Sequence, residues 1–344
     1  MHRICNSLVQ KGYHVTLVGR QRNKSLPLKQ QIFQQKRLPC FFSKGFLFYA
    51  EYNLRLLFYL AGQKMDAICA IDLDTILPCF LVSQIKRIPR VYDAHELFTE
   101  MKEVRTRPFV HRFWLAVERY AVPKFRNGYT VGNGLANEFN KRYAVQYEVI
   151  RNVPVLKNFI ATETQPLILY QGAVNEARGL EYLIPAMKGI PVQLFICGDG
   201  NFMNELQQLI QVHGVADKVV LKGMLPPDEL GKITRQAVLG INLIEQDGLN
   251  QYLSLANKFF DYIHAGVPQV SMNYPEYKAL NNQYEVAYLI DELSTQSVSD
   301  AILFGINDAA FQASARQNCL KARQELNWQE EEKKLLHFYQ QLLG

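Results

Sequence analysis

The sequence predicts an α/β protein made of two doubly wound domains, each a parallel sheet covered by helices on both faces. Three observations carry this expectation. Short apolar runs rich in Val, Ile, Leu and Tyr alternate with longer segments of helical period, the pattern of strand–helix–strand repetition. The chain has 344 residues, enough for two cores. Around Pro154–Pro166 the periodic pattern lapses and the charge changes sign. Domains are therefore expected over residues 1–155 and 165–320.

The first segment places Ile4, Leu8 and Val9 on one helix face before Lys11-Gly12-Tyr13. A doubly wound domain opens with a strand and a glycine-bearing turn into its first helix. Here that strand is expected to be absent, as in a fragment or a chain that starts late. Strands of the first half are expected at His14–Gly19, Ala67–Asp72, Arg90–His95, Gly128–Val131 and Tyr147–Asn152. Those of the second half are expected at Leu167–Gly172, Val192–Gly198, Val219–Gly223, Leu239–Ile244, Pro268–Met272 and Ala287–Asp291. Phe202–Val212 and Asp228–Ala237 carry apolar residues at three- and four-residue spacing and read as helices, as does Trp328–Leu343.

Composition narrows the class. Hydrophobic residues make up 48% and charged residues 20%, which excludes disordered, collagenous and coiled-coil chains. The six cysteines are scattered without a Cys-X-X-Cys pair, so a disulfide scaffold or structural zinc is not expected and a reducing cytoplasmic setting is. No continuous apolar core marks a signal peptide at the start. The most apolar stretch, Cys40–Gly62, is interrupted by Lys44, Glu51 and Arg55, whereas a spanning helix needs ~20 largely apolar residues.

The net charge of +6 hides an asymmetry. Residues 1–157 hold 25 basic and 11 acidic side chains, residues 158–344 hold 13 and 21. A basic half meets anions: acidic lipid, a phosphorylated substrate or nucleic acid. No recognition helix or base-stacking module stands out, so nucleic acid is not expected. Lys36–Arg55 and Arg105–Arg126, with Phe109, Phe113 and Trp114, suit a peripheral position on an anionic membrane surface.

Ligands of open α/β sheets bind beyond the carboxyl ends of strands, and four clusters stand there in the second half. Gly172 precedes a turn carrying Arg178-Gly179, where a helix start and a guanidinium favour phosphate. Gly198-Asp199-Gly200 forms a second small-residue turn, and Gly223 with the backbone of Met224 a third, able to border a planar ring. The fourth runs from Ser254 through Asn257-Lys258-Phe259-Phe260-Asp261-Tyr262 to Ala265-Gly266-Val267-Pro268. Lys258 and Asp261, three apart, share a helix face and suit a diphosphate beside ribose hydroxyls.

In the first half, Tyr92-Asp93-Ala94-His95-Glu96 ends a strand with ionisable groups fit for proton transfer or for hydrogen-bonding a sugar hydroxyl. Asp72 and Asp74 read as turn or helix-cap residues, and no metal ligation by them is expected. The motifs of serine hydrolases, P-loop nucleotidases, zinc proteases and dinucleotide-binding oxidoreductases are missing.

Taken together, Tyr92-Asp93-Ala94-His95-Glu96-Leu97, Ile150-Arg151-Asn152-Val153-Pro154, Tyr170-Gln171-Gly172 with Arg178-Gly179, Cys197-Gly198-Asp199-Gly200, Asn257–Tyr262 and Ala265–Pro268 resemble the GT-B glycosyltransferases of the group that includes retaining family 4. The resemblance covers essentially the whole chain. It implies two Rossmann-like domains facing across a cleft, with residues 328–344 crossing back to the first. It implies a nucleoside-diphosphate sugar held in the C-terminal domain by Gly172, Arg178, Gly198, Gly200, Met224, Ser254, Asn257, Lys258 and Asp261. Arg178 and Lys258 would meet the diphosphate and Asp261 the ribose, while His95 and Glu96 would serve the reaction. No metal and no cofactor beyond the donor is implied. The acceptor would be a glycan or lipid-linked sugar of cell-surface polysaccharide synthesis, at the inner face of the membrane.

Three positions depart from the group's pattern. Leu253 stands where the first of two glutamates is usual, Ala173 where an arginine is common, and the first strand with its glycine loop is missing. These leave a sugar-nucleotide-binding scaffold, or a nucleotide-sugar epimerase, as alternative readings.

Overall fold

The computed structural model describes residues 1–344 apart from Asn23, Lys24 and Leu26. The chain divides into two compact units, one of Met1–Arg151 with Glu330–Gly344 and one of Asn152–Gln329. The first begins with helix His2–Gln10, which buries Ile4, Cys5 and Leu8. Two strands, β1 (Thr16–Gln21) and β2 (Gln34–Pro39), follow and pair in parallel as a sheet of their own.

Four more, β3 (Ile68–Ile71), β4 (Arg90–Ala94), β5 (Asn127–Thr130) and β6 (Glu148–Val149), form a parallel sheet in that order. Among the described residues β1 and β3 therefore each pair along one edge only. The buried Tyr92 of β4 anchors this unit's core, edge-on to the rings of Phe125, Phe139 and Tyr147. The last helix, Trp328–Leu343, brings Phe338 to within 5.4 Å of Tyr129, ring centre to ring centre.

Unit 2 holds β7 (Leu167–Gln171), β8 (Gln193–Cys197), β9 (Val219–Gly223), β10 (Leu239–Asn242), β11 (Gln269–Met272) and β12 (Ala287–Ile290). All pairings are parallel, in the order β12-β11-β10-β7-β8-β9. Every residue of β7 is buried, as a strand covered on both faces requires. The chain leaves β7 towards β8 and β9, then returns to β10 on its other side. The order thus reverses between β7 and β10, the place where a doubly wound sheet opens a crevice at its carboxyl edge.

All eleven expected strands are present, with ends shifted by a residue or two for most. Strand β2 was not expected, since Gln34-Gln35-Lys36-Arg37-Leu38-Pro39 buries only Leu38. The apolar stretch before Gly62 forms helix Gly45–Gly62. Among the described residues no helix is long and apolar enough to cross a membrane.

Candidate active site

The switch point of unit 2 gathers most of the expected binding residues. Beyond the end of β7, Gly172 adopts φ +116°, and the space where a side chain would start meets nothing closer than Lys258 Cε at 3.6 Å. Lys258 reaches this place from helix Asn257–Ala265, which buries Phe259, Phe260, Tyr262 and Ile263 and stops at the left-handed Gly266. Its Nζ lies 3.7 Å from the centre of the Tyr170 ring and, though buried, has no hydrogen-bond partner. Burial, and then the charge of Arg178, push the ammonium well below the usual lysine range. An anion at Gly172 would reverse both effects, because it supplies acceptors and opposite charge in a low-dielectric place.

Asp261 belongs to the same edge, accepting a hydrogen bond from Gln171 Nε2 at 3.0 Å, while Gln171 Oε1 accepts from the Thr234 hydroxyl at 2.9 Å. The pair expected to share a helix face thus converges on consecutive residues, Gln171 and Gly172. Asn257 accepts from Asn152 Nδ2, and the Ser254 hydroxyl closes a turn on the carbonyl of Gln251. Met224 is largely exposed, next to Gly223, whose carbonyl accepts from the amide of Gly198.

Gly198 and Gly200 have a role that the sequence did not disclose. A side chain begun at Gly198 would come 1.8 Å from the carbonyl oxygen of Gly172, and one at Gly200 2.1 Å from that of Val174. These glycines let two strand-end loops lie against each other, and so hold Gly172 in place.

In unit 1, β4 delivers Asp93 and His95. His95 Nε2 stands 3.1 Å from Asp93 Oδ1, an ion-pair distance, and Asp93 Oδ2 is buried without a hydrogen-bond partner. Burial opposes a charged imidazole here, yet Asp93 and then Asp72 outweigh it and raise the His95 pKa to about 9. Glu96 moves up to about 7, through burial first and then the negative charges of Asp72 and Glu103. The site at neutral pH therefore holds an imidazolium beside a carboxyl that exchanges its proton readily.

Asp72 stands in the turn before the short 3-10 helix Leu73–Thr75, as expected, with its carbonyl accepting from the Thr75 amide, but its side chain has a further role. Its side chain caps nothing in the turn that follows, and its Oδ1 accepts from the backbone amide of His95 at 2.9 Å. Its own amide donates to the carbonyl of Asp93, and its backbone is held at φ +55° and ψ 173°, outside the left-handed helical well and in a region that non-glycine residues rarely adopt. Only the pairing of β3 with β4, Ile71 opposite Asp93, reveals this clamp.

Comparison with known proteins places these features. The profile of Glycosyl transferases group 1 matches residues 155–325, and that of Glycosyltransferase Family 4 matches residues 1–159. The chain belongs to these glycosyltransferases. Alpha-D-kanosaminyltransferase of Streptomyces kanamyceticus is 24% identical over 241 residues, which span 59% of this glycosyltransferase-family chain and 61% of that relative's length. Among solved structures, sucrose-phosphate synthase of Thermosynechococcus elongatus superimposes with a TM-score of 0.82 at 18% identity, covering 99% of this chain and 92% of that one. WaaG, a glycosyltransferase involved in lipopolysaccharide biosynthesis, gives 0.74 at 15% identity over 96% and 92%. HepE of Anabaena in complex with UDP-glucose gives 0.71 at 15% over 90% and 87%. The fold is that of the GT-B glycosyltransferases.

Proposed function

We propose that this chain transfers a sugar from a nucleoside diphosphate to a hydroxyl of a glycan or lipid-linked acceptor, with retention of anomeric configuration. The observation that carries the reading is Lys258: a buried cation without a hydrogen-bond partner, facing an open glycine at the switch point of a doubly wound sheet. Such an arrangement is unfavourable unless an anion completes it. Lys258 and Arg178 would hold the diphosphate, Asp261 the ribose, and the chain around Gly223 and Met224 the base. The bond from the anomeric carbon to the diphosphate oxygen breaks, and the acceptor oxygen takes its place. The two cations neutralise the charge that grows on the departing diphosphate, a role otherwise left to a divalent ion.

His95, charged at neutral pH, would donate a hydrogen bond to a sugar hydroxyl or to the leaving group, with Glu96 as proton acceptor. Retention and the acceptor class rest on the likeness to family 4, and the polysaccharide setting on relatives such as WaaG. The cytoplasm is the proposed location, since nucleotide sugars are at hand there and unpaired thiols persist; all six cysteines are unpaired. UDP is the first nucleotide to try, because HepE was solved with UDP-glucose.

The test is a screen of UDP-, GDP-, dTDP- and ADP-sugars by thermal shift, followed by measuring release of nucleoside diphosphate with and without added glycan acceptors. Stabilisation by one nucleotide class and acceptor-dependent release are expected. Stabilisation without release would favour the scaffold reading. Conversion of the sugar without an acceptor would favour the epimerase reading.

A further inference from the structure

Gln171 ends β7 and is only 4% exposed. It shares a strand face with Leu167 and Leu169, which pack with Tyr262, Ala265 and Val267 in an apolar cluster. A buried amide in such company is unfavourable unless its polar atoms are used. Two neighbouring helices use them. Helix Pro227–Gln236 supplies Thr234, itself buried, and helix Asn257–Ala265 supplies Asp261. Gln171 Nε2 donates to Asp261 Oδ2 at 3.0 Å, and Gln171 Oε1 accepts from the Thr234 hydroxyl at 2.9 Å. One strand-end side chain thus joins both helices to the sheet.

Chemistry fixes the direction of these bonds. An ionised carboxylate only accepts, so Asp261 draws the NH2 end of the amide. The carbonyl end then faces Thr234, whose hydroxyl has to supply a proton. That hydroxyl also has the Leu230 carbonyl of its own helix at 2.8 Å, but only with its proton on Gln171 is every contact of the chain attractive. One oxygen of Asp261 is therefore held to a fixed point on the carboxyl edge of the sheet. Thr234 extends the chain of bonds to the helix that begins just after Met224, beside the segment assigned to the base.

We propose that Gln171, backed by Thr234, is a positioning residue: it aims Asp261 at the ribose hydroxyls and so makes the site prefer ribonucleotides to 2′-deoxyribonucleotides. The inference rests on the proposed nucleotide-sugar reading and deepens it. A hydroxyl is recognised sharply only when the group that meets it is held in place, because a misplaced partner forfeits the bond. The competing explanation is packing alone, an amide that merely joins two helices to a strand. Packing predicts that its loss weakens every nucleotide alike. Positioning predicts a change in the preference between two nucleotides, and only while Asp261 is present.

Calorimetric titration of the full chain with UDP and with 2′-deoxy-UDP tests it, or with the guanine or adenine pair if that class stabilises the protein. The unaltered protein should prefer the ribonucleotide by roughly ten- to a hundred-fold, the value of a hydrogen bond from a hydroxyl to a carboxylate. Gln171→Leu suits the apolar face and leaves the Thr234 hydroxyl its Leu230 acceptor; it should reduce that preference by about ten-fold, chiefly by weakening UDP. Thr234→Val should reduce it less, and Thr234→Ser, which keeps the hydroxyl, should preserve it. Asp261→Ala should abolish the preference, and adding Gln171→Leu to it should change nothing further. Equal weakening of both nucleotides by Gln171→Leu, or an effect on the preference that persists without Asp261, would overturn the proposal and leave the ribose role of Asp261 standing. Should Gln171→Leu fail to fold, equal preference in the valine and serine variants of Thr234 would overturn it instead. If no nucleotide binds, or Asp261→Ala keeps the preference, the nucleotide-site reading itself fails and takes this inference with it.

Discussion

Replacing Lys258 by methionine should make the protein more stable and the site useless. The side chain keeps its length and loses its charge. Removing a buried polar group that lacks a partner recovers about 1–3 kcal/mol, since Nζ makes no hydrogen bond in the ligand-free chain. Loss of the contact with the Tyr170 ring offsets about 0.5–2 kcal/mol of that. The balance is a gain of about 1 kcal/mol, which raises the melting temperature of a unit this size by about 2–4 °C. Against this, each hydrogen bond from the ammonium to a phosphate contributes about 1.5–3 kcal/mol, so affinity for UDP should fall roughly a hundred-fold. Calorimetric melting and titration with UDP measure both quantities on the same samples. A lowered melting temperature together with unchanged UDP affinity would refute the reasoning, because Lys258 would then be a packing residue and not a ligand-binding cation.

Three further outcomes follow from the same geometry. The His95 ring should titrate near 9 by NMR, and Asp93→Asn should bring it below that by removing the nearer negative charge. Because this pKa lies above its ordinary 6.5, the stability it contributes is fully present below 6.5 and is lost as pH rises through about 9. The gap corresponds to ~3 kcal/mol at most, and its absence from a pH series of urea melts would count against the Asp93 pair. Asp72→Ala should cost about 1–2 kcal/mol by leaving the His95 amide without an acceptor, while Asp72→Asn restores the acceptor but lowers the His95 pKa. Gly198→Ala should destabilise unit 2 by at least about 3 kcal/mol, since its new carbon would meet the Gly172 carbonyl at 1.8 Å. Gly172→Ala has ordinary space but φ +116° and should cost only about 1–2 kcal/mol, and urea unfolding ranks the two.

Strands such as Leu167–Gln171 were legible because a buried parallel strand must be apolar on both faces, and few other structures demand that. Strand β2 was not, because Gln34–Arg37 present little apolar surface and owe their conformation to the neighbouring β1. Lys258 and Asp261 could be foreseen as a pair by their spacing on one helix. Their meeting with Gln171 and Gly172 depends on the crossover from β7 to β10, which spacing does not encode. The turn position of Asp72 was legible, but its side-chain contact was not, for the same reason: its partner is twenty-three residues away, across a strand pairing. Gly198 and Gly200 were legible as strand-end glycines, but the close approach of a neighbouring loop backbone that requires them is a tertiary contact that spacing does not encode. Trp114 reads as a surface aromatic beside Phe113 until the helix phase turns it inward.

The most direct test of the account is a crystal structure of the protein soaked with UDP or a UDP-sugar. The account predicts the diphosphate at the carboxyl end of β7, over Gly172, with a phosphate oxygen within hydrogen-bond distance of Lys258 Nζ and Arg178 close by. A nucleotide bound elsewhere, with Lys258 still unpartnered against Tyr170, would contradict it.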